Sequence, residues 1–153
     1  MRRRHFMFCA SALILGVAAR PGRTAQRQMT VYKDPNCGCC EAWTKAMQAA
    51  GFEVDIRPVD DMAAVKLKFG VPQSVEGCHT AYTDGYFIEG HVPVEAVERV
   101  LNERPAIKGV AVPGMPDGSL GMGDDPTVAS YDVMSVDRQG NAAVFMSIRP
   151  GKA

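Results

Sequence analysis

The sequence has no excess of charge of either sign, and it is poor in aromatic residues. Lys and Arg number 17 against 17 Asp and Glu, and Phe, Trp and Tyr make up 7% of the 153 residues. Five arginines and no acids lie in residues 1–25, so the rest of the chain has 12 basic against 17 acidic residues. That remainder is mildly acidic, with a net charge of about −5. Without a basic stripe, the chain is predicted not to bind nucleic acid.

Long hydrophobic runs are missing except near the N-terminus. Residues 2–4 are arginines, and residues 6–19 are mostly apolar. A basic segment followed by an apolar stretch of this length predicts an export signal over residues 1–25, cleaved after Ala19 or Ala25. The apolar stretch is too short for a membrane span. We therefore predict that no stable membrane anchor remains after cleavage.

The sequence is compatible with two export routes. The run Arg3-Arg4-His5-Phe6-Met7 resembles a twin-arginine motif, and an ordinary secretory leader that is rich in arginine accounts for it equally well. Both routes take the mature chain out of the cytoplasm. Residues 26–153 are predicted to form a single domain, because about 125 residues suffice for one compact core but not for two.

Cysteine is also scarce, which excludes a fold built on disulfides. The chain has five cysteines, and Cys9 lies in the predicted signal without the surroundings of a lipidation site. The other four are unevenly spaced and too few to replace a hydrophobic core. In an exported chain they are predicted to be disulfides or ligands of a metal.

The periodicity of apolar residues predicts an α/β domain. The predicted elements are, in order, a strand at 31–32, a helix over 40–50, a strand over 52–58, a helix over 62–69, a hairpin of 78–83 and 86–88, a helix over 94–101, a loop over 106–127 and a hairpin of 131–136 and 143–148. The order β-α-β-α-β-β-α is that of a thioredoxin-like domain. A C-terminal loop rich in Gly, Pro and Met and a β-hairpin follow it.

The densest group of chemically reactive residues is Cys37-Gly38-Cys39-Cys40. It lies at the predicted turn from the first strand into the first helix. The start of a helix leaves backbone N–H groups unpaired and carries partial positive charge, and both effects favour thiolate over thiol. Thiolates bind metals or attack disulfides, so this turn is predicted to carry the chemistry.

The spacing of these cysteines favours metal. Cys37 and Cys39 are too close for an ordinary disulfide, and one between the adjacent Cys39 and Cys40 would be strained. A fourth cysteine, Cys78, opens a later strand that can approach the first helix. Four soft sulfurs select Cu(I) or Zn²⁺. Because the compact spacing hinders a single tetrahedral ion, several Cu(I) ions bridged by thiolates are favoured over zinc.

Histidines and methionines are further candidate ligands. His79 follows Cys78 directly, and in a strand the two side chains would point to opposite faces, so His79 reaches the metal only if the backbone turns. A structural hydrogen-bonding role is the equal alternative. His91 is predicted to fix its loop rather than to bind metal. Met115 and Met122 lie in the Gly/Pro-rich loop and could form a thioether lid, or could be ordinary loop hydrophobes.

Two other functions use the same cysteines. Cys37 and Cys40 alone form a Cys-x-x-Cys motif, which is typical of an exported thiol–disulfide oxidoreductase. The sequence lacks the Cys-Pro type of active-site turn and has no aromatic residue directly before Cys37. A structural zinc module that serves a partner is the third reading.

Several motifs together resemble one bacterial family. They are Tyr32-Lys33-x-Pro35-x-Cys-Gly-Cys-Cys-x-x-Trp43, Gly77-Cys-His-Thr80, Gly90-His-Val-Pro93 and Val112-Pro-Gly-Met-Pro116. The family, long described as of unknown function, includes the CopG-type copper resistance proteins of the periplasm. The resemblance implies a thioredoxin-like fold, copper bound through the cysteines and a role in handling excess periplasmic copper. Copper ions and other periplasmic copper-handling proteins are then the expected partners, and copper oxidoreductase activity is left open.

Overall fold

The protein is built on a seven-stranded mixed sheet with three α-helices. The computed structural model describes residues 27–123 and 125–151, so the predicted export signal lies outside the described residues. The elements are β1 (Arg27–Lys33), α1 (Gly38–Ala49), β2 (Phe52–Pro58), α2 (Met62–Phe69), β3 (His79–Thr83), β4 (Tyr86–Glu89), α3 (Val94–Glu103), β5 (Ile107–Ala111), β6 (Tyr131–Asp137) and β7 (Ala142–Ile148), with 3-10 turns at Gln73–Val75 and Pro126–Val128. The predicted α/β class is confirmed, and the order β-α-β-α-β-β-α is observed through α3. The thioredoxin-like assignment stays a prediction.

The strands lie in the order β2-β1-β3-β4-β5-β6-β7. β1 pairs with β2 and β4 with β5 in parallel, and the other neighbours are antiparallel. β1 therefore lies between β2 and β3, and its C-terminal end leads directly into the cysteine turn. The start of β3 lies beside that end, because Lys33 pairs with His79. This pairing brings Cys78 to the cysteine turn.

Helix α1 buries one face against the sheet. Cys40, Trp43 and Met47 are fully buried at spacings of three and four residues. These spacings place all three on one side of a helix. Trp43 and Met47 belong to the same apolar cluster as Met29 and Val31 of β1. This packing fixes the rotation of α1 so that its first turn faces Cys78.

The helix ends follow the capping signals of the sequence. The carboxylate of Asp61 accepts a hydrogen bond of 2.9 Å from the backbone N–H of Ala64 and so caps α2, and Gly70 ends that helix with a φ of 68°. α3 ends at Glu103, and its C-cap residue Arg104 has a φ of 51° just before Pro105. No helix within residues 27–123 and 125–151 is long and apolar enough to cross a membrane.

One prediction was wrong: residues 106–127 are not entirely a loop. Ile107–Ala111 form β5, which pairs in parallel with β4 and antiparallel with β6. Gly109 interrupts the apolar run and hides the strand in the sequence. A Cβ at Gly109 would lie 2.2 Å from the carbonyl oxygen of Phe87, so the glycine is what allows the two strands to approach. Through β5, the predicted terminal hairpin becomes part of the main sheet.

Candidate metal centre

The structure brings the four cysteines of the described chain into one cluster. Cys37 is the N-cap residue of α1, Cys39 and Cys40 lie in its first turn, and Cys78 directly precedes β3. Their sulfur atoms all lie within 4.8 Å of one another. The Sγ atoms of Cys40 and Cys78 are 3.6 Å apart, and those of Cys37 and Cys39 are 3.5 Å apart. The arrangement could hold a metal ion, and the role of the four residues as ligands stays a prediction.

Two of these cysteines are joined by a disulfide. Cys37 and Cys40 are bonded across the first turn of α1, with their Cα atoms 5.4 Å apart, while Cys39 and Cys78 are free. Two sulfurs therefore carry no S–S bond in this state. Reduction of the bond by two electrons supplies the other two.

His79 reaches the cluster because β3 begins only at His79 and Cys78 lies outside the strand. The alternation that would separate their side chains does not apply there. His79 Nδ1 lies 3.3 Å from Cys78 Sγ, and the ring is fully buried against Trp43, with 4.5 Å between ring centroids. Among the described residues His79 Nε2 has no hydrogen-bond partner.

His91 also faces the cluster, which the sequence reasoning did not predict. Its Nδ1 lies 2.7 Å from the carbonyl oxygen of Leu120, and its Nε2 lies 3.0 Å from Cys78 Sγ. The carbonyl can only accept, so Nδ1 carries the proton of the neutral ring and Nε2 has the free lone pair. His91 thus bonds the Gly/Pro-rich loop and also presents a nitrogen of ligand type. Cys78, His79 and His91 form a second group whose donor atoms lie within 4.8 Å of one another.

A signal for His91 was present in the sequence. The two-residue turn at Asp84-Gly85 fixes the register of the β3–β4 hairpin, in which Thr80 pairs with Glu89. Extending that register by two residues places position 78 opposite position 91. The hairpin therefore carries both Cys78 and His91 to the same end of the sheet.

Burial controls the protonation of the cluster. It raises the pKa of the Cys78 thiol to about 12, and the nearby Cys39 adds to the rise. It also lowers the pKa of His79 to about 3, with His91 adding to the shift. At neutral pH without a cation, Cys78 is a thiol and His79 is neutral. A soft cation would displace the Cys78 proton and would meet an imidazole that is already in its ligand form.

A buried lysine lies at the cysteine turn. Lys33 is only 4% exposed, and its Nζ donates to the carbonyl oxygen of Asp34 at 3.1 Å and contacts that of Cys37 at 3.5 Å. The ammonium holds the turn closed through these two backbone carbonyls. No apolar pattern predicts a buried lysine, so the sequence analysis missed it.

The Gly/Pro-rich loop closes onto the start of α1. Gly121 has a φ of +89°, and a Cβ there would lie 2.9 Å from Trp43 N and 3.0 Å from Cys39 O. Met122 follows directly and is half-buried, whereas Met115 is 54% exposed. The structure thus places Gly121, the neighbour of Met122, against the start of α1 and leaves Met115 largely exposed. The thioether lid stays a prediction.

Similarity to known proteins decides the family. A family profile described as "Protein of unknown function, DUF411" matches residues 75–122. Two solved structures, named "Copper resistance protein copG- Form 2" and "Form 1", are 44% and 43% identical to this chain, with TM-scores of 0.74 and 0.75. The matches cover 79% and 80% of this chain and 97% of each of those chains. This chain belongs to the CopG family. No curated protein matches it.

Membership in the CopG family confirms the resemblance that was stated from the sequence motifs. The family profile begins before Cys78 and ends at Met122, so it spans the second half of the cluster and the loop that closes on it. In this CopG chain the loop is joined to His91, and so to the residue beside Cys78, through the hydrogen bond between His91 Nδ1 and the Leu120 carbonyl.

Proposed function

We propose that this chain is a periplasmic copper-binding protein of copper resistance, which holds Cu(I) through Cys37, Cys39, Cys40 and Cys78. The observation that carries the proposal is the convergence of four sulfur atoms within 4.8 Å. Thiolate sulfur is the donor that soft Cu(I) prefers. The names of the two CopG structures support copper as the metal.

Charge favours several Cu(I) ions over one ion. Four thiolates in a reduced site carry four negative charges, and the buried surroundings disfavour an uncompensated charge. Each bridging Cu(I) ion neutralises one of them. A single Zn²⁺ would leave half of the charge, and the three sulfurs of Cys37, Cys39 and Cys40 would have to reach one tetrahedral ion from adjacent positions. Zinc is the less favoured metal for this reason.

His79, Met115 and Met122 complete the proposed ligand set, and His91 joins it. His79 Nδ1 and His91 Nε2 both lie within 3.3 Å of Cys78 Sγ, so an ion held by Cys78 has neutral nitrogen donors beside it. Met122 follows the glycine that touches the start of α1.

The disulfide connects copper binding to redox chemistry. Two Cu(I) ions that each lose one electron supply the two electrons that convert the Cys37–Cys40 bond into two thiolates. The reverse reaction reduces two Cu(II) ions to Cu(I) and restores the bond. The balance needs no other reactant, and copper redox activity is part of the proposal in this form.

A second candidate function is that of an exported thiol–disulfide oxidoreductase. The observation that favours it is the disulfide between Cys37 and Cys40 at the start of a helix, where such enzymes carry theirs. This function needs only that pair. It has no use for Cys39 and Cys78, the two free sulfurs of the cluster.

Metal binding by the Cys39→Ser variant separates the two candidates. The parent protein and the variant are reduced and loaded with Cu(I). The copper content, the zinc content and the number of free thiols are then measured on the same sample of each protein. We expect the variant to lose most of its copper, and Gln48→Ser on an exposed position of α1 to keep it. A variant with full copper content would contradict the cluster. Disulfide reductase activity that survives in the variant would establish the second candidate.

The proposal includes the compartment and the exchange partners. The predicted signal over residues 1–25 would send the chain to the periplasm. There it would receive copper from, or pass it to, other periplasmic copper-handling proteins. A mildly acidic surface suits exchange of a cation.

A further inference from the structure

The end of β4 carries a carboxylate that is completely buried. Glu89 has no exposed surface, and it lies two residues before His91 and opposite Thr80 in the β3–β4 hairpin. A buried carboxylate requires partners, because the protein must replace the hydrogen bonds of water. The partners of Glu89 show what this residue does.

Two of the hydrogen bonds to Glu89 come from the residues that flank Cys78 and His79. The backbone N–H of Gly77 donates to Oε1 at 2.7 Å, and the hydroxyl of Thr80 donates to Oε2 at 2.6 Å. The two oxygens of one carboxylate thus hold the chain on both sides of the Cys78-His79 pair.

A buried lysine of helix α2 completes the arrangement. Lys66 of α2 is 6% exposed and forms an ion pair with Glu89. Its Nζ also donates to the carbonyl oxygen of Gly77 at 3.0 Å. Both polar backbone groups of Gly77 are therefore held by side chains of one ion pair. We call Glu89, Lys66 and their hydrogen bonds to Gly77 and Thr80 the bracket.

Stability alone does not account for a charged bracket. Removing two charges from water is costly, and apolar residues of similar volume often stabilise a protein equally well. Hydrogen bonds fix the orientation of the groups that they join, whereas apolar contacts do not. The backbone at Cys78 needs such orientation because Cys78 lies outside β3 and has no paired strand residue to hold it.

We propose that Glu89, supported by Lys66, is a positioning residue that holds Cys78 and His79 in the geometry of the metal site. The proposal rests on the proposed function, since the segment it holds carries two of the proposed ligands. Residues that orient metal ligands typically change metal affinity about 10–100-fold when they are replaced. The hydrogen bonds of the bracket go to Gly77 and Thr80, and it acts on the cluster through them.

Two uncharged double variants separate positioning from charge. Lys66→Met with Glu89→Leu removes the bracket, whereas Lys66→Met with Glu89→Gln removes the charges but keeps an amide that can bond Gly77 and Thr80. We expect the first double variant, called the Met/Leu variant, to release Cu(I) at least about tenfold faster than the parent. The second, called the Met/Gln variant, should release Cu(I) within about threefold of the parent rate, because the hydrogen bonds of the amide to Gly77 and Thr80 remain. Equal release from both variants, fast or slow, overturns the proposal.

A control excludes general loss of stability as the cause. Leu101→Ala creates a cavity in the core at the far end of α3 and lowers the melting temperature without touching the bracket. Its copper release should match that of the parent. Faster release from Leu101→Ala would show that any destabilised fold loses copper, and the positioning role would then be abandoned.

A second measurement needs no metal. In the metal-free protein, the bracket should slow alkylation of Cys78 and hydrogen exchange of the Cys78 and His79 amides. Both rates should rise in the Met/Leu variant, and less so in Thr80→Val, which loses one hydrogen bond and is the milder choice if the double variant does not fold. If the parent binds no Cu(I), the proposed function fails, while unchanged rates in these variants would refute the positioning itself.

Discussion

The indole N–H of Trp43 donates a hydrogen bond of 2.8 Å to the carbonyl oxygen of Val92, a residue 49 positions further along the chain. Trp43 is buried in α1 one turn after Cys40, and Val92 directly follows His91. The hydrogen bond therefore joins the helix that carries Cys39 and Cys40 to the segment that carries His91.

Replacement of Trp43 by Phe should cost both stability and copper retention. The lost hydrogen bond and the space left by the smaller ring should lower the free energy of unfolding by about 2 kcal/mol or more. Urea denaturation measures this loss, and Cu(I) release measures the effect on the site. Tyr82→Phe alters an aromatic residue that is 39% exposed and should change neither quantity. A Trp43→Phe variant as stable as the parent would show that the hydrogen bond to Val92 does not stabilise the fold.

The stability of the metal-free protein should fall in mild acid because of His79. The unfolded chain binds a proton at His79 below a pH of about 6.5, whereas the folded chain resists protonation down to a pKa of about 3. Unfolding therefore takes up a proton in this window, and each pH unit below 6.5 costs about 1.4 kcal/mol.

His79→Phe tests this pH dependence, because it keeps a ring against Trp43 but removes the titration. The loss of unfolding free energy between pH 7.5 and pH 5 should shrink by about 2 kcal/mol in the variant. The remaining dependence then belongs to other groups, His91 among them, whose pKa is also lowered by burial. A pH profile identical to that of the parent would show that His79 titrates normally in the folded protein.

Gly121→Ala should lift the loop from the cluster. The new Cβ would lie 2.9 Å from Trp43 N and 3.0 Å from Cys39 O, so the loop must move. Gly123→Ala is the matched control, since Gly123 also has a positive φ, of +127°, but nothing lies within 4 Å of its new Cβ. Copper release should accelerate in the first variant only. Equal release rates would show that the contact of the loop with α1 is irrelevant to the site.

The double variant Met115→Leu, Met122→Leu tests the thioether lid. Leucine keeps the volume and apolarity of methionine, so a packing role should tolerate the change at a cost below about 1.5 kcal/mol. A thioether that binds Cu(I) cannot be replaced by leucine. We expect weaker Cu(I) binding or faster release at an unchanged melting temperature, with the core variant Met47→Leu as the control. Unchanged affinity and release would reduce both residues to loop hydrophobes.

Replacement of the arginines in the predicted signal should distinguish the twin-arginine export route from the general secretory route. Arg3→Lys together with Arg4→Lys should block secretion if the twin-arginine route is used, and should leave it unchanged for the general route. Immunoblotting of periplasmic and cytoplasmic fractions measures the outcome. Secretion by the general route would mean that the chain crosses the membrane unfolded and meets its copper outside.

Local sequence signals were enough to predict most elements and the position of the cysteine turn. Periods of three and four residues predicted α1 and α3, and Asp84-Gly85 predicted the β3–β4 hairpin, because these signals act between close neighbours. β5 depends on distant partners, β4 and β6, and Gly109 breaks its apolar pattern. No short-range rule predicts such a strand.

The parts of the site that were missed are polar groups whose burial depends on the complete fold. Lys33, Lys66 and Glu89 are of types that usually lie at the surface, so a single sequence gives no reason to place them inside. His91 was predicted to fix its own loop, but its Nδ1 bonds Leu120 of the Gly/Pro-rich loop, and its Nε2 meets Cys78 only through the hairpin register. The cysteines were easier to predict, since three of them are neighbours in the chain.

The contact between Gly77 and Gly90 limits how this site can vary. A Cβ on Gly77 would lie 2.6 Å from Gly90 Cα, and one on Gly90 would lie 2.7 Å from Val112 O. Each glycine is the neighbour of a candidate ligand, Cys78 in one case and His91 in the other. Neither has a side chain that could bind a metal or move a proton. If every amino acid is placed at Gly77 and at Gly90 and the cells are scored for copper tolerance, most replacements should be as harmful as the replacement of a ligand. Even alanine should be harmful at both positions.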